Sequence, residues 1–125
     1  MKILVVDDEM DVKDLFEQRF RKEIRNSEFH FAFAHSGEEA LHYLNNHEQE
    51  AILILSDINM PGMSGLQLLE AIKQKFHKPP PVVMMITAYS DAENYNQAMH
   101  LGADDFLTKP LDFTVLKEKL KTTQS

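Results

Sequence analysis

The chain alternates two kinds of hydrophobic pattern. Ile3 to Val6, Ala51 to Leu55 and Val82 to Ile86 are unbroken apolar runs, the mark of strands buried on both faces. Between them apolar residues recur every three or four positions, as on one face of a helix. Val12, Leu15, Phe16, Phe20 and Ile24 describe a first helix of about four turns, ended at Asn26 and Ser27. Ala40, Leu41 and Leu44 describe a second, opened by Ser36 and Glu39 as a capping box and closed by Asn45 and Asn46. Leu66, Leu69, Ile72 and Phe76 describe a third, which the run Pro79 to Pro81 forbids from continuing.

Phe29, Phe31 and Phe33 alternate with His30, Ala32 and Ala34, the period of a strand with unlike faces at or near a sheet edge. A fourth helix runs from a cap at Asp91 to about His100, with only Tyr95, Ala98 and Met99 as its apolar stripe. So thin a stripe predicts a movable helix. Gly102 closes it, Asp105 to Thr108 is a short fifth strand, Lys109 and Pro110 form its exit, and a last helix turns Phe113, Leu116 and Leu120 inward. Five strands alternating with five helices require a parallel sheet covered on both faces. The expectation is a doubly wound, flavodoxin-like (βα)5 fold of strand order 2-1-3-4-5, with its ligand crevice beyond the carboxyl ends of the first and third strands.

Composition narrows the function. At 125 residues the chain is expected to be a single domain, 1–125, although the polar end TTQS is where a longer chain could continue. Thirteen basic against twenty acidic residues, a net charge of −7, argue against a nucleic-acid-binding surface and favour a cationic partner or metal ion. There is no cysteine, so disulfides and thiolate metal sites are excluded. The opening MKILVV is too short for a signal-peptide core and no run reaches membrane-spanning length, so a soluble cytoplasmic domain is expected.

The candidate chemistry lies at the strand exits: Asp7 and Asp8, then Asp57, then Thr87, then Lys109. Each taken alone has an ordinary reading as a helix cap, a turn residue, a strand end or a surface charge. Their joint placement on one sheet edge argues for a site. Three crowded carboxylates ask for a divalent cation, and an all-oxygen donor set suits Mg²⁺ better than zinc, with Mn²⁺ as the alternative. A carboxylate can also be a nucleophile toward phosphorus. If Asp57 attacks a phosphoryl group, the metal, the Lys109 ammonium and the Thr87 hydroxyl would meet its peripheral oxygens.

VVDDE, DINMPGMSG, ITAY and GADDFLTKP together resemble the receiver domain of two-component response regulators over nearly the whole chain, close to the stand-alone chemotaxis regulator in length and layout. That regulator is itself a known instance of the 2-1-3-4-5 order, so the topology is not independent of the resemblance. The resemblance implies a phosphorylation-dependent switch: Asp57 accepts a phosphoryl group from the phosphohistidine of a sensor histidine kinase or phosphotransfer protein. It implies Mg²⁺ on Asp8, Asp57 and the Asn59 backbone carbonyl, with Asp7 behind a water. Thr87 and Ala88 would bind and report the phosphoryl group, Lys109 would pair with it, and Phe106 stands where the family has a rotating aromatic, often tyrosine. Pro110 would follow a cis peptide bond, and Tyr89 would sit at the rim where water enters. The output would be a changed face of fourth helix, fifth strand and last helix, used on a downstream effector or for dimer formation, with no direct contact to nucleic acid or membrane.

Other readings are weaker. A flavin protein of this topology would need a hydroxyl- and amide-rich phosphate loop where DDE stands. An aspartyl-nucleophile phosphatase resembles DxD, whereas the second position here is Asn59. A docking module without phosphorylation would not need Asp7, Asp8, Asp57, Thr87 and Lys109 together. The domain is therefore expected not to be an enzyme beyond its own phosphoryl uptake and loss. The six histidines lack metal-ligand spacing, and Met60, Met63, Met84, Met85 and Met99 read as packing material.

Overall fold

In a computed structural model that describes residues 1–48, 50, 52–76, 81–88 and 92–124, the apolar runs become the middle of a five-stranded sheet of order β2-β1-β3-β4-β5. The strands are β1 (Lys2–Val6), β2 (His30–Ala34), β3 (Ile52–Asp57), β4 (Val82–Ala88) and β5 (Asp105–Lys109), and all pairings are parallel. The helices among the described residues are α1 (Val12–Arg19), α2 (Arg21–Arg25), α3 (Gly37–Asn45), α4 (Gly65–Lys75), α5 (Ala92–His100) and α6 (Phe113–Gln124). The expected order is borne out, with β2 at an edge as its alternation requires.

Strand parity divides the core in two. Leu4, Ile54 and Met85 point to a layer containing Ala40 and Leu44 of α3, Leu68, Leu69 and Ile72 of α4 and Ala98 of α5. Ile3, Val5, Leu53, Leu55 and Ile86 point to the other layer, with Phe16, Phe20, Leu116 and Leu120. There the phenylalanines of α1, β2 and α6, with Phe20 between α1 and α2, pack edge-on or tilted, as in the pairs Phe16–Phe113 at 5.4 Å and Phe20–Phe31 at 5.1 Å.

Several expectations are corrected. The first helix is two, because Phe20 at φ −111°, ψ 22° interrupts it. Its buried stripe runs Phe16, Phe20, Glu23 rather than ending on Ile24, which is exposed. Glu23 tolerates the interior because Lys117 of α6 meets its Oε2 at 3.0 Å, while Ile24 is turned out. In α4 the inward residue is Leu68 beside Leu69, and Leu66 is only half-buried. Strands β4 and β5 run further than expected, through Ala88 and Lys109, because the parallel ladder continues through Thr87↔Thr108 and Ala88↔Lys109. The Ser36 cap is present through its bond from Glu39 N, but the reciprocal capping box belongs to Ser64 and Gln67 at the start of α4. The cap expected at Asp91 lies outside the described residues. Helix α5 keeps its thin contact: Ala98 is buried, while Tyr95 and Met99 are exposed. Met99 is thus not packing material, whereas Met60, Met84 and Met85 are.

Candidate functional site

Asp57 is the last residue of β3 and is only 4% exposed. Its carboxylate accepts from Asn59 N at Oδ1 (3.2 Å) and from Lys109 Nζ at Oδ2 (2.7 Å). Asp7, at the end of β1, is buried at 7% exposure and accepts from Glu9 N at 2.9 Å. One carboxylate oxygen each of Asp7, Asp8 and Asp57 lies within 4.8 Å of the others, with Asp8 alone exposed to solvent. Burial pushes the Asp7 carboxyl above its ordinary value; the Glu9 amide opposes this, the Asp57 charge adds to it, and Lys109 opposes it again. For Lys109 burial works against the ammonium, but the hydrogen bond and charge of Asp57, with Asp7 and Glu9 beyond, outweigh it and hold the group above its usual value.

The sequence therefore brings Asp7, Asp8, Asp57 and Lys109 together as expected. The donor set fits a hard divalent cation: three carboxylates with no nitrogen or sulfur among them. Thr87 is in a different position. It sits in β4 at 0% exposure, on the face of Met85, whereas Asp57 is level with Ile86 of the opposite face, and its hydroxyl meets no hydrogen-bonding group of the protein among the described residues. Phe106 stands opposite Met85, half-buried, its ring set edge-on against Tyr95 of α5 at 4.7 Å. Ala88 ends β4, the peptide bond between Lys109 and Pro110 is cis, and Tyr89 lies outside the described residues.

Backbone contacts fix the strand-to-helix turn after Asp57. Ser56 Oγ donates to the Asp57 carbonyl at 3.0 Å, and Gly65 N donates to the Ile58 carbonyl at 2.8 Å. A Cβ on Gly65 would run into the Asp57 carbonyl oxygen and stand 2.7 Å from Ile58 Cα, so only glycine lets α4 start here. Beside the site a cleft of about 800 Å³ opens between α1 and the start of α6, lined by Asp7, Glu9, Val12, Lys109, Leu111 and Phe113 among others. Sequence reasoning passed over His35, whose Nδ1 lies 3.1 Å from the Asp7 carbonyl oxygen. Its place directly after β2, at the same sheet edge, was the available signal.

The chain is a doubly wound α/β domain with a buried carboxylate, two acidic neighbours and a lysine at its switch point, where open sheets of this kind keep their sites. The family described as response regulator receiver domain matches residues 3–121, and the chain belongs to it. Among curated relatives, a protein named cyclic di-GMP phosphodiesterase from Thermotoga maritima is 32% identical over 96% of this chain and 30% of its own length. Response regulator RppA from Synechocystis is 32% identical over 99% of this chain and 50% of its own length. The chain thus spans half or less of these relatives. Among solved structures, response regulator protein TrrA from Thermotoga maritima in complex with Mg²⁺ and BeF superimposes with a TM-score of 0.75 at 32% identity, covering 97% of this chain and 96% of that one. Among the described residues, no helix is long and apolar enough to cross a membrane.

Proposed function

We propose that residues 1–125 act as one receiver domain and phosphorylation-dependent switch, with Asp57 taking a phosphoryl group from the phosphohistidine of a sensor histidine kinase or phosphotransfer protein. The observation that carries this reading is the Lys109 ammonium 2.7 Å from a buried Asp57 carboxylate, inside a cluster of three carboxylates. An Asp57 oxygen forms a bond to phosphorus as the P–N bond to imidazole breaks, the electron pair of that bond returning to the ring nitrogen. Water later displaces the carboxylate from phosphorus, releasing inorganic phosphate and restoring Asp57. Lys109 is already poised on an Asp57 oxygen and passes to a phosphoryl oxygen, where it offsets the added charge. Asp8, Asp57 and the Asn59 carbonyl would hold Mg²⁺ or Mn²⁺, with Asp7 through a water, and the ion would neutralise charge on the phosphoryl oxygens.

The Thr87 hydroxyl, buried without a protein partner, donates to a phosphoryl oxygen, with Ala88 beside it. Its movement frees space that the Phe106 ring enters, and Tyr95 with α5 follows because α5 is held by little more than Ala98. The changed face of α5, β5 and α6 controls an effector protein or domain, or pairs with a second copy of the chain. The setting is cytoplasmic, Tyr89 guards the rim, and the domain catalyses nothing beyond its own phosphoryl uptake and loss.

Incubation with Mg²⁺ and acetyl phosphate should add one phosphoryl group, read by intact mass, and Asp57→Ala should add none. Labelling of Asp57→Ala at the wild-type level, or uptake that persists in chelator, overturns the reading.

A further inference from the structure

Asp8 poses a problem of placement. Its carboxylate is one of the three that converge, yet the residue is exposed, and among the described residues no side-chain hydrogen bond holds it. Its direction must come from the backbone, where three consecutive peptide units are each fixed by one hydrogen bond. The unit before Asp7 is held by Asp7 N donating to the Ala34 carbonyl at 3.1 Å, an extension of the β1–β2 ladder. The unit after Asp8 is held by Glu9 N donating to Asp7 Oδ1 at 2.9 Å, the local turn an aspartate makes with its own chain. Among the described residues, the hydrogen bond that holds the unit between Asp7 and Asp8 comes from His35, whose Nδ1 lies 3.1 Å from the Asp7 carbonyl oxygen. A carbonyl oxygen only accepts, so the proton is on Nδ1 and the ring donates.

Fixing the units on both sides of a Cα fixes φ and ψ there, and with them the Cα–Cβ vector. We propose that His35 is a positioning residue for Asp8: by clamping the Asp7–Asp8 peptide from the neighbouring strand, it aims an exposed carboxylate at the cation site. This rests on the reading of Asp7, Asp8 and Asp57 as that site. His35 itself touches neither ion nor phosphoryl group. It is the one clamp of the three made by a side chain from outside the acidic cluster, so it can be removed without touching the carboxylates.

The test compares wild type, His35→Ala and His35→Asn, the last keeping an N–H on the γ-carbon where Nδ1 stood. Titration calorimetry with Mg²⁺ alone should give His35→Ala a dissociation constant about tenfold weaker, the low end of what removing the support of a ligand costs, and His35→Asn one within about threefold of wild type. Amide exchange of the metal-free proteins should show the Glu9 N–H, which donates to Asp7 Oδ1, exchanging faster in His35→Ala as the turn loosens, with His35→Asn restored. Melting in chelator reports folding separately. Equal Mg²⁺ affinity for wild type and His35→Ala, or an Asn variant as weak as Ala at the same melting temperature, overturns the role of His35. A wild type that binds no Mg²⁺ refutes the site reading instead, and the Glu9 amide then decides the clamp by itself: unchanged exchange in His35→Ala overturns it.

Discussion

Lys109 reaches Asp57 across a strand that belongs to neither. Asp57 stands opposite Ile86 of β4 and Ile86 opposite Leu107 of β5, so Lys109 lies two positions beyond the level of Asp57 and two strands away, yet its Nζ is 2.7 Å from Oδ2. Two strand spacings are about 9.6 Å, which only a long side chain leaning over the end of β4 can span. The cation is thus a component of the acidic cluster before any ion or phosphoryl group arrives, and it answers part of the repulsion that three carboxylates alone would create.

Lys109→Gln keeps polarity but loses both the charge and the reach. In chelator it should be less stable than wild type by about 1 kcal/mol, since Asp57 is buried but the lysine is itself partly in water. Because the folded lysine titrates above its unfolded value, its contribution is fully present below about pH 10.5 and is lost only above that. The gap should therefore be flat from pH 7 to 9. Melts across that range check it, and phosphoryl uptake from acetyl phosphate should fall at least about tenfold.

Asp7 bears the cost of the crowding. Its carboxyl is raised in the folded state, chiefly by burial, so folding is favoured by its protonation, and that advantage fades as pH rises through the folded value. At neutral pH without metal, Asp7→Asn should melt higher by about 1 kcal/mol, and the gain should shrink as pH falls toward about 4. Asp57→Asn should gain less, because it also strips Lys109 of its partner. Excess Mg²⁺ should favour wild type, by roughly 2.7 kcal/mol at a hundredfold over its dissociation constant. A metal-free Asp7→Asn that melts below wild type would remove the strain from the account.

Thr87 buries a hydroxyl with no protein partner. Thr87→Val has the same shape without that group, so it should stabilise the unphosphorylated protein by up to about 1 kcal/mol while severing the link to Phe106. Amide exchange in residues 92–109 should change on phosphorylation of wild type and not of Thr87→Val. Equal responses in both proteins would take Thr87 out of the switch.

The pair Glu23–Lys117 tests the interior of the opposite layer. Burial disfavours the Glu23 carboxylate, but Lys117 and backbone bonding outweigh it, so the folded value lies below the usual one. Its contribution is present above about pH 4.5 and lost as pH falls through the folded value. Lys117→Met should cost about 2 kcal/mol at pH 7, with the deficit shrinking in acid, and adding Glu23→Leu should recover most of it. Denaturant titrations at both pH values decide this.

What was legible in the sequence was whatever pattern and spacing carry. Unbroken apolar runs point to central parallel strands, so the exits bearing Asp7, Asp57 and Thr87 fell on one edge with little freedom. What was hidden depends on partners far along the chain. Glu23 can be interior only because Lys117 arrives from α6, and once it turns in, Ile24 at the next position must turn out. Leu68 and Leu66 are both apolar, and only the angle at which α4 leaves Gly65 decides which one faces the sheet. His35 offers only its place directly after β2 as a signal, since the carbonyl it meets belongs to a distant part of the chain.

Gly65 fixes what can be rebuilt on this scaffold. Because α4 begins in van der Waals contact with the backbone of Asp57 and Ile58, no side-chain substitution elsewhere can open room for a β-carbon there without moving Asp57 itself. A designer recoding the exposed positions of α4 to receive a different partner has wide choice along the helix and none at its first residue. A saturation library at position 65, selected for phosphoryl uptake, should return glycine alone.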